Sequence, residues 1–393
     1  MKRVLFYAEN YCGGSAKGGT EVATYRIAKA LNNTGNFELF NAFRNKFPKE
    51  KDEVYSEIVR LSRSESSFKR ELTDFIEKYK IDIVINMSRF FRHNQIKKAV
   101  KESGREVKLM FMQHFAPGSE IKKATYNSGF HLLKLNPYNP FYWLRASIYP
   151  LLKLPRNLKI KEVYKQTYED SDKVILLSEG YKQDYCKLGG FTDQSKFVSI
   201  PNIFEIQNSN LNNKISKEKR VLILSRMDEI QKRISLALRI WQKIELDPDL
   251  YEWQLDIVGS GHNTDIVRRL IKKLKLERVN LHGWQPRESF LEKSEILMMT
   301  SAYEGLPLSV LEAQAYGCVP IAYNSFASLT DVVTSYEDGV VVDKFEDIDE
   351  FTKKLTELMY DSDYREELRK NAIEKAGIFS PDIIVKKWME ILI

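Results

Sequence analysis

The chain has 393 residues with 61 Lys and Arg against 54 Asp and Glu, a formal charge of +7, and is 43% hydrophobic and 29% charged. That length exceeds what one ordinary core fills and points to two domains of roughly 200 residues each, while the composition excludes wholesale disorder. The charge is unevenly placed: residues 1–200 hold 35 basic and 22 acidic side chains (+13), residues 201–393 hold 26 and 32 (−6), and this asymmetry implies two domains with different partners.

Val4-Leu5-Phe6-Tyr7-Ala8 reads as a buried strand, and its apolar run stops at Glu9, too soon for a signal peptide. A Gly-containing loop then leads into a helix pattern at Val22, Tyr25, Ile27, Ala28 and Leu31. Apolar runs at 81–85, 107–112, 173–177 and 197–200 predict further strands, with helical patterns over 68–79 and 95–102 between them. The apolar stretch from Tyr138 to Pro155 is broken by Arg145, Lys153 and three prolines, so no transmembrane helix is expected. Residues 202–219 are rich in Asn, Lys and Ser and read as a linker. A second alternation follows, with strands at 220–225, 253–258, 279–282, 296–300 and 319–323 and helices at 234–244, 265–276 and 308–316. The tail is helical, with a break at Ser380-Pro381. Strands alternating with helices imply parallel sheets covered on both faces. The expected fold is therefore two doubly wound α/β domains in tandem, with a ligand cleft at the strands' carboxyl ends. Three distant cysteines, Cys12, Cys186 and Cys318, argue against a disulfide framework or a Cys metal site and point to a reducing cytoplasm.

The most informative stretch runs from Thr300 to Ala313. Gly305 and Pro307 mark a turn after a strand, feeding a helix that ends at Gly317. The amides of Leu308 and Ser309 would be free at that helix start and suit a phosphate. Glu304 and Glu312 could each hold a sugar's vicinal hydroxyls; equally, they could be a loop and a solvated helix carboxylate. Arg226, after the first strand of the acidic half, and Lys232, near the next helix start, could balance a diphosphate. An ordinary basic loop explains them as well when they are taken alone. In the first half, Gly18 and Gly19 in the loop Gly13–Glu21 let a ligand approach the start of a helix, although no Walker sequence is present. Gly259-Ser260-Gly261 reads only as a turn. His114 ends a predicted strand; a lone His is more often structural, yet a strand end favours function. His93, His131, His262 and His282 lack zinc-site spacing. Three Asp-x-Asp pairs, at 247–249, 347–349 and 361–363, fall in loop or cap contexts, so no metal is expected. Residues 120–166 carry nine basic and two acidic side chains among many aromatics, which suits either an anionic bilayer surface or a helix packed on its domain. No nucleic-acid-binding signature accompanies that charge.

With these residues in view, the block from Tyr303 to Ala313 resembles the Glu-x7-Glu motif of family 4 retaining glycosyltransferases (GT4, glycosyltransferase group 1), which have the GT-B fold. Gly18-Gly19-Thr20-Glu21, Ile200-Pro201-Asn202, Ser225-Arg226 with Lys232, the segment 256–261 and His282-Gly283-Trp284 resemble further parts of that pattern. The resemblance implies two Rossmann-like domains facing across a cleft: 1–203 for the acceptor, 204–379 for a nucleotide sugar, and 380–393 as a helix returning to the first domain. It implies that Arg226, Lys232 and the amides of Leu308 and Ser309 bind the donor diphosphate, with Gly18, Gly19, Gly305, Leu306 and Pro307 shaping the donor site. Glu312 would hold ribose hydroxyls, Glu304 the transferred sugar, and His114 would lie beside that sugar. Arg233 stands where the family usually has a glycine. The implied activity is metal- and cofactor-independent transfer of a hexose or N-acetylhexosamine from a nucleotide sugar, most simply a UDP-sugar. The acceptor would be a glycan or lipid-linked saccharide in surface polysaccharide synthesis, on the cytoplasmic face of a membrane. Rival readings are a GT-B-like UDP-sugar epimerase and a non-catalytic membrane-surface protein.

Overall fold

The computed structural model describes residues 1–16, 18–45, 51–126, 133, 137–205 and 217–393. Lys17, His131, Lys134 and most of the expected linker 202–219 lie outside the described residues. Contacts divide the chain into two α/β units: 1–118 with 152–203 and 379–393, and 119–151 with 204–378. Residues 119–151, expected with the N-terminal domain, thus group with the second unit. Lys122 shows why: its Nζ donates to Ala302 O at 3.4 Å and Ser325 O at 3.3 Å.

In the first unit, Val4 to Tyr7 have no exposed surface and form the middle of β1 (Lys2–Tyr7). The other strands are β2 (Phe37–Phe43), β3 (Glu57–Arg60), β4 (Ile83–Asn86), β5 (Lys108–Gln113), β6 (Lys173–Leu176) and β7 (Phe197–Ser199). All pair in parallel in the order β3-β2-β1-β4-β5-β6-β7, so the strand order reverses between β1 and β4. Helices α1 (Gly19–Asn33), α2 (Glu65–Lys78) and α3 (His93–Glu102) follow β1, β3 and β4. Leu5, Tyr7, Phe40, Phe68, Leu72 and Ile96 pack into one core between sheet and helices.

Among the described residues, the basic segment holds the helices α4 (Ser119–Tyr126) and α5 (Pro140–Asp170). Asn139 starts α5 by accepting the Phe141 N–H at 3.0 Å, and Pro140 fits the first turn, where its missing N–H costs nothing. The helix then runs through Pro150 and Pro155, so the prolines expected to break this stretch lie within it. Among the described residues no helix is long and apolar enough to cross a membrane. After β6 comes α6 (Tyr181–Gly189), closed by Gly190 at φ 69°.

The second sheet holds β8 (Glu218–Leu224), β9 (Gln254–Val258), β10 (Val279–Gly283), β11 (Ser294–Met299), β12 (Val319–Tyr323) and β13 (Val340–Val342). It is parallel, ordered β10-β9-β8-β11-β12-β13, with its reversal between β8 and β11. Its helices are α7 (Ile234–Ile244), α8 (Thr264–Leu274), α9 (Glu288–Lys293), α10 (Leu308–Ala315), α11 (Leu329–Val332), α12 (Ile348–Tyr360) and α13 (Ser362–Gly377). Trp241 and Trp253 anchor the core against Val221, Ile223, Leu255 and Phe351. The last helix, α14 (Pro381–Leu392), returns to the first unit and packs on α1, with Trp388 fully buried.

One buried polar site couples this architecture to pH. Ser171 Oγ donates to Thr167 O at 2.7 Å, so it accepts from His93 Nε2 at 2.9 Å, and the imidazole proton sits on Nε2. His93 Nδ1 then accepts from Asn86 Nδ2 at 3.3 Å. Burial lowers the pKa of this imidazole from 6.5 to about 4. The neutral ring is favoured in the folded chain, so its contribution is complete above pH 6.5 and is lost as the pH falls toward 4. The expected slope is about 1.4 kcal/mol per pH unit. Urea titrations across that window should show this loss in the wild type and a flatter dependence in His93→Gln. Separately, Trp388→Ala should destabilise the first unit by about 3–5 kcal/mol, read as a lower urea midpoint.

Candidate active site

The carboxyl ends of β8 and β11, where the second sheet reverses its order, are where an open parallel sheet offers a ligand crevice. The loop leaving β8 is built first by its own backbone. Asp228 Oδ1 accepts the N–H groups of Ile230 (3.1 Å) and Gln231 (3.4 Å), and Lys232 N–H donates to Asp228 O at 2.7 Å. Buried Glu229 accepts from the N–H and hydroxyl of Ser235, capping α7, while its own N–H donates to Asn263 Oδ1 at 2.9 Å. Arg233 adopts φ 55° and ψ 41°, the left-handed conformation that a glycine would take freely. The turn is therefore kept despite the Cβ, at a strain of about 1–2 kcal/mol, and Arg233 is secured by an ion pair with Glu346.

This loop is stitched to the end of β11. Thr300 Oγ1 donates to Lys232 O at 3.0 Å, and Ala302 N–H donates to Gln231 O at 2.7 Å. The two side chains that follow then meet Glu304. Lys232 Nζ lies 2.7 Å from Glu304 Oε1, and Gln231 Nε2 donates to Glu304 Oε2 at 2.9 Å. Gln231 Oε1 accepts from Arg226 Nη2 at 3.3 Å, and Asp228 Oδ2 pairs with the same nitrogen at 3.2 Å. Lys232 and Glu304 are largely buried, whereas the Arg226 side chain is 62% exposed. A small recess beside Lys232 is lined by Ser225, Thr300, Ser301 and Ser309. Ser225 Oγ is buried there without a partner among the described residues.

Glu312 lies in α10 and is buried, as is Glu304, so neither is the solvated surface carboxylate that spacing alone allowed. Arg287 Nη1 holds Glu312 Oε1 at 2.8 Å. Gly305, Leu306 and Pro307 form a buried turn, with Pro307 one residue ahead of α10. One expectation fails here: the Leu308 N–H is engaged, donating to Leu306 O at 2.9 Å, because the turn closes so tightly on itself. Gly317 closes the helix at φ 70°, as its position predicted.

The Gly259-Ser260-Gly261 turn is also more than a connector. A Cβ at Gly259 (φ 137°) would lie 1.9 Å from Ser225 O, and one at Gly261 would lie 2.5 Å from Met227 O. Met227 N–H donates to Ser260 O at 3.1 Å, so these glycines let two backbones touch and fix where Arg226 begins. Below them, buried Asp256 accepts from His282 Nε2 (2.8 Å), Arg220 Nη1 (2.8 Å) and Asn280 Nδ2 (3.1 Å), tying β8, β9 and β10 together. Burial alone would raise its pKa; the hydrogen bonds from His282 and Arg220 outweigh that and hold it below the ordinary value.

In the first unit, His114 directly follows β5, and both ring nitrogens are buried without a partner among the described residues. Burial lowers its pKa from 6.5 to about 4, so the ring is neutral. Gly18 precedes α1, and the Glu21 carboxylate occupies the space a Cβ there would need; nothing lies within 4 Å of the corresponding point at Gly19. Among the described residues no three His, Cys, Asp or Glu side chains group as metal ligands would. The three Asp-x-Asp pairs serve as caps: Asp247, Asp347 and Asp361 each accept a backbone N–H at a helix start. The sequence gives no signal for Gln231, Asp228 and Arg287, since polar residues outside regular elements carry no periodicity, nor for Lys122, one of many lysines on its segment.

Comparison with known proteins fits this geometry. Residues 205–375 match the family model described as glycosyl transferases group 1. The amylovoran biosynthesis glycosyltransferase AmsD of Erwinia amylovora is 28% identical over 233 residues, 57% of this chain and 63% of that protein. A Campylobacter jejuni α-1,4-N-acetyl-D-galactosaminyltransferase, named for a GalNAc-containing undecaprenol diphosphate glycan, is 22% identical over 341 residues, 85% of this chain and 89% of its own. The chain spans 63%, 34% and 61% of the lengths of three of its curated relatives. Among solved structures, Anabaena Alr3699/HepE in complex with UDP and glucose superposes with a TM-score of 0.73 at 14% identity, covering 100% of this chain and 99% of that one. The fold is GT-B.

The close approach at Gly259 yields a stability test. Gly259→Ala should destabilise the second unit by about 3 kcal/mol or more, since backbone must move. Gly283→Ala, at φ 70° with nothing within 4 Å, should cost only the conformational strain of about 1–2 kcal/mol. Guanidinium titrations of the two variants read the difference.

Proposed function

With residues 205–375 belonging to the group 1 glycosyltransferases, we propose that this chain is a retaining glycosyltransferase. It moves a hexose or N-acetylhexosamine from a UDP-sugar to a glycan or lipid-linked acceptor in surface polysaccharide synthesis. The observation that carries the reading is the contact of Lys232 and Gln231 with Glu304, with Arg226 on Gln231, at the sheet's switch point. It sets a cation pair for a diphosphate next to a carboxylate for sugar hydroxyls. The UDP and glucose named with HepE and the lipid-linked glycan in the Campylobacter relative's name support the donor and acceptor classes.

In this reading Arg226 and Lys232 hold the donor diphosphate, assisted by the Ser309 amide. Glu312 takes the ribose hydroxyls, and Arg287 keeps that carboxylate in place. Glu304 takes the hydroxyls of the transferred sugar. His114 serves as a neutral hydrogen-bonding group toward that sugar, a role its unpartnered ring nitrogens support. Transfer proceeds on the front face. The bond from anomeric carbon to diphosphate oxygen breaks while the acceptor oxygen bonds to the same face, and the acceptor proton passes to the departing diphosphate. Arg226 and Lys232 stabilise the charge that develops on the leaving group, so no metal is required in this scheme. The chain works on the cytoplasmic face of a membrane, touching anionic lipid through residues 120–166.

Arg226→Ala should lower turnover by about two orders of magnitude or more, measured as UDP released from a panel of UDP-sugars with an oligosaccharide acceptor. A near-normal rate in that variant would overturn the scheme.

A further inference from the structure

We propose that the outward half of α5 between Phe141 and Leu158 lies in the plane of an anionic bilayer's headgroup region. The inference rests on the reading that residues 120–166 meet a membrane, and it names the helix, the face and the lipid charge. Successive helical residues turn by about 100°, which sets Tyr142, Ala146, Tyr149 and Asn157 on one side. Those are buried or half-buried positions. The opposite arc, about 120° wide by the same turn angle, carries Phe141, Leu144, Ile148, Leu151, Leu152 and Leu158. All six are exposed, Leu151 by 78%. The helix therefore rests on the protein by its less apolar side and turns its apolar side outward, the reverse of an ordinary surface helix.

The charges identify the occupant. From 140 to 161 the chain has five cations, Arg145, Lys153, Arg156, Lys159 and Lys161, and no Asp or Glu. A second copy packed by two-fold symmetry would set these cations near their own copies with no carboxylate between them. Phosphate-bearing lipid headgroups supply the missing negative charge. Arg145 lies over the Phe141 ring at 4.7 Å, so a cation borders the apolar arc. Trp143 and Tyr138, 58% and 93% exposed, add the aromatic side chains that favour a bilayer interface. Cations along the helix and a protein-bound opposite side keep it lying in the interface instead of crossing it.

The test is sedimentation of the full chain with phosphatidylcholine vesicles, with and without phosphatidylglycerol, alongside thermal shift with UDP. The wild type should bind the phosphatidylglycerol vesicles and lose that binding at high salt. Leu144→Glu/Leu151→Glu should lower the partition constant about 100-fold or more, and Arg145→Gln/Lys159→Gln about tenfold or more. Because these side chains are exposed, all variants should keep the wild-type unfolding midpoint and UDP shift. No vesicle binding with an intact UDP shift overturns the inference and leaves the glycosyltransferase reading standing. Equal binding to neutral vesicles also overturns it, as does a dimer abolished by Leu144→Glu/Leu151→Glu. Vesicle binding without UDP release from any UDP-sugar supports the inference and removes the reading of function.

Discussion

The candidate site depends on one ion pair, Lys232 to Glu304, made where β8 and β11 adjoin. Both groups are largely buried, and a buried charge is tolerated only when paired and hydrogen-bonded. The surrounding structure reads as the means of meeting that demand. Gln231 satisfies the second carboxylate oxygen and passes the constraint on to Arg226. Thr300 and Ala302 hold the backbone of the β8 loop, and Arg233 stays in a left-handed conformation so that the loop can turn into α7. Gly259 and Gly261 set the other wall by admitting backbone where any side chain would collide.

This arrangement also gives meaning to the charge partition. The second half of the sequence is net acidic, yet the switch point of its sheet gathers Arg226, Lys232 and Arg287, each against a carboxylate. On the proposed reading, a diphosphate entering there would meet cations that are already positioned and would share them with Asp228, Glu304 and Glu312. Positioning of this kind lowers the cost of reorganisation when charge develops on a leaving group. About half of the basic excess of the first half, +7 of +13, lies in residues 120–166, and α5 displays part of it beside an outward apolar face.

Much of this was legible in the residues, for identifiable reasons. β12 and α7 keep the bounds that their apolar patterns gave, because each is a clean run ended by turn residues. β2 and β3 were not read. Buried Asn41 interrupts the pattern of β2 and makes sense only in three dimensions, where it bonds Phe6 O and Cys12 N–H. β3 is half-exposed and only four residues long. The prolines of α5 signal interruption in sequence, and the structure carries the helix across them. In the site, Glu304, Glu312, Arg226 and Lys232 were visible because their residue types and spacing are chemically restrictive. Gln231 and Arg287 were not, since their roles arise from contacts 73 and 25 residues away in sequence. The Leu308 amide shows the converse: a helix start predicts a free N–H, and a tight turn consumes it.

The central claim is that Lys232 serves the diphosphate while Glu304 serves the sugar. Calorimetric titration of UDP, which lacks the sugar, into the wild type, Lys232→Met and Glu304→Gln tests that division directly. The account predicts that Lys232→Met weakens UDP binding by about tenfold or more. Glu304→Gln should bind UDP at least as tightly as the wild type, because it removes a negative charge competing for Lys232. Equal UDP affinity in all three proteins, or a loss confined to Glu304→Gln, would contradict it.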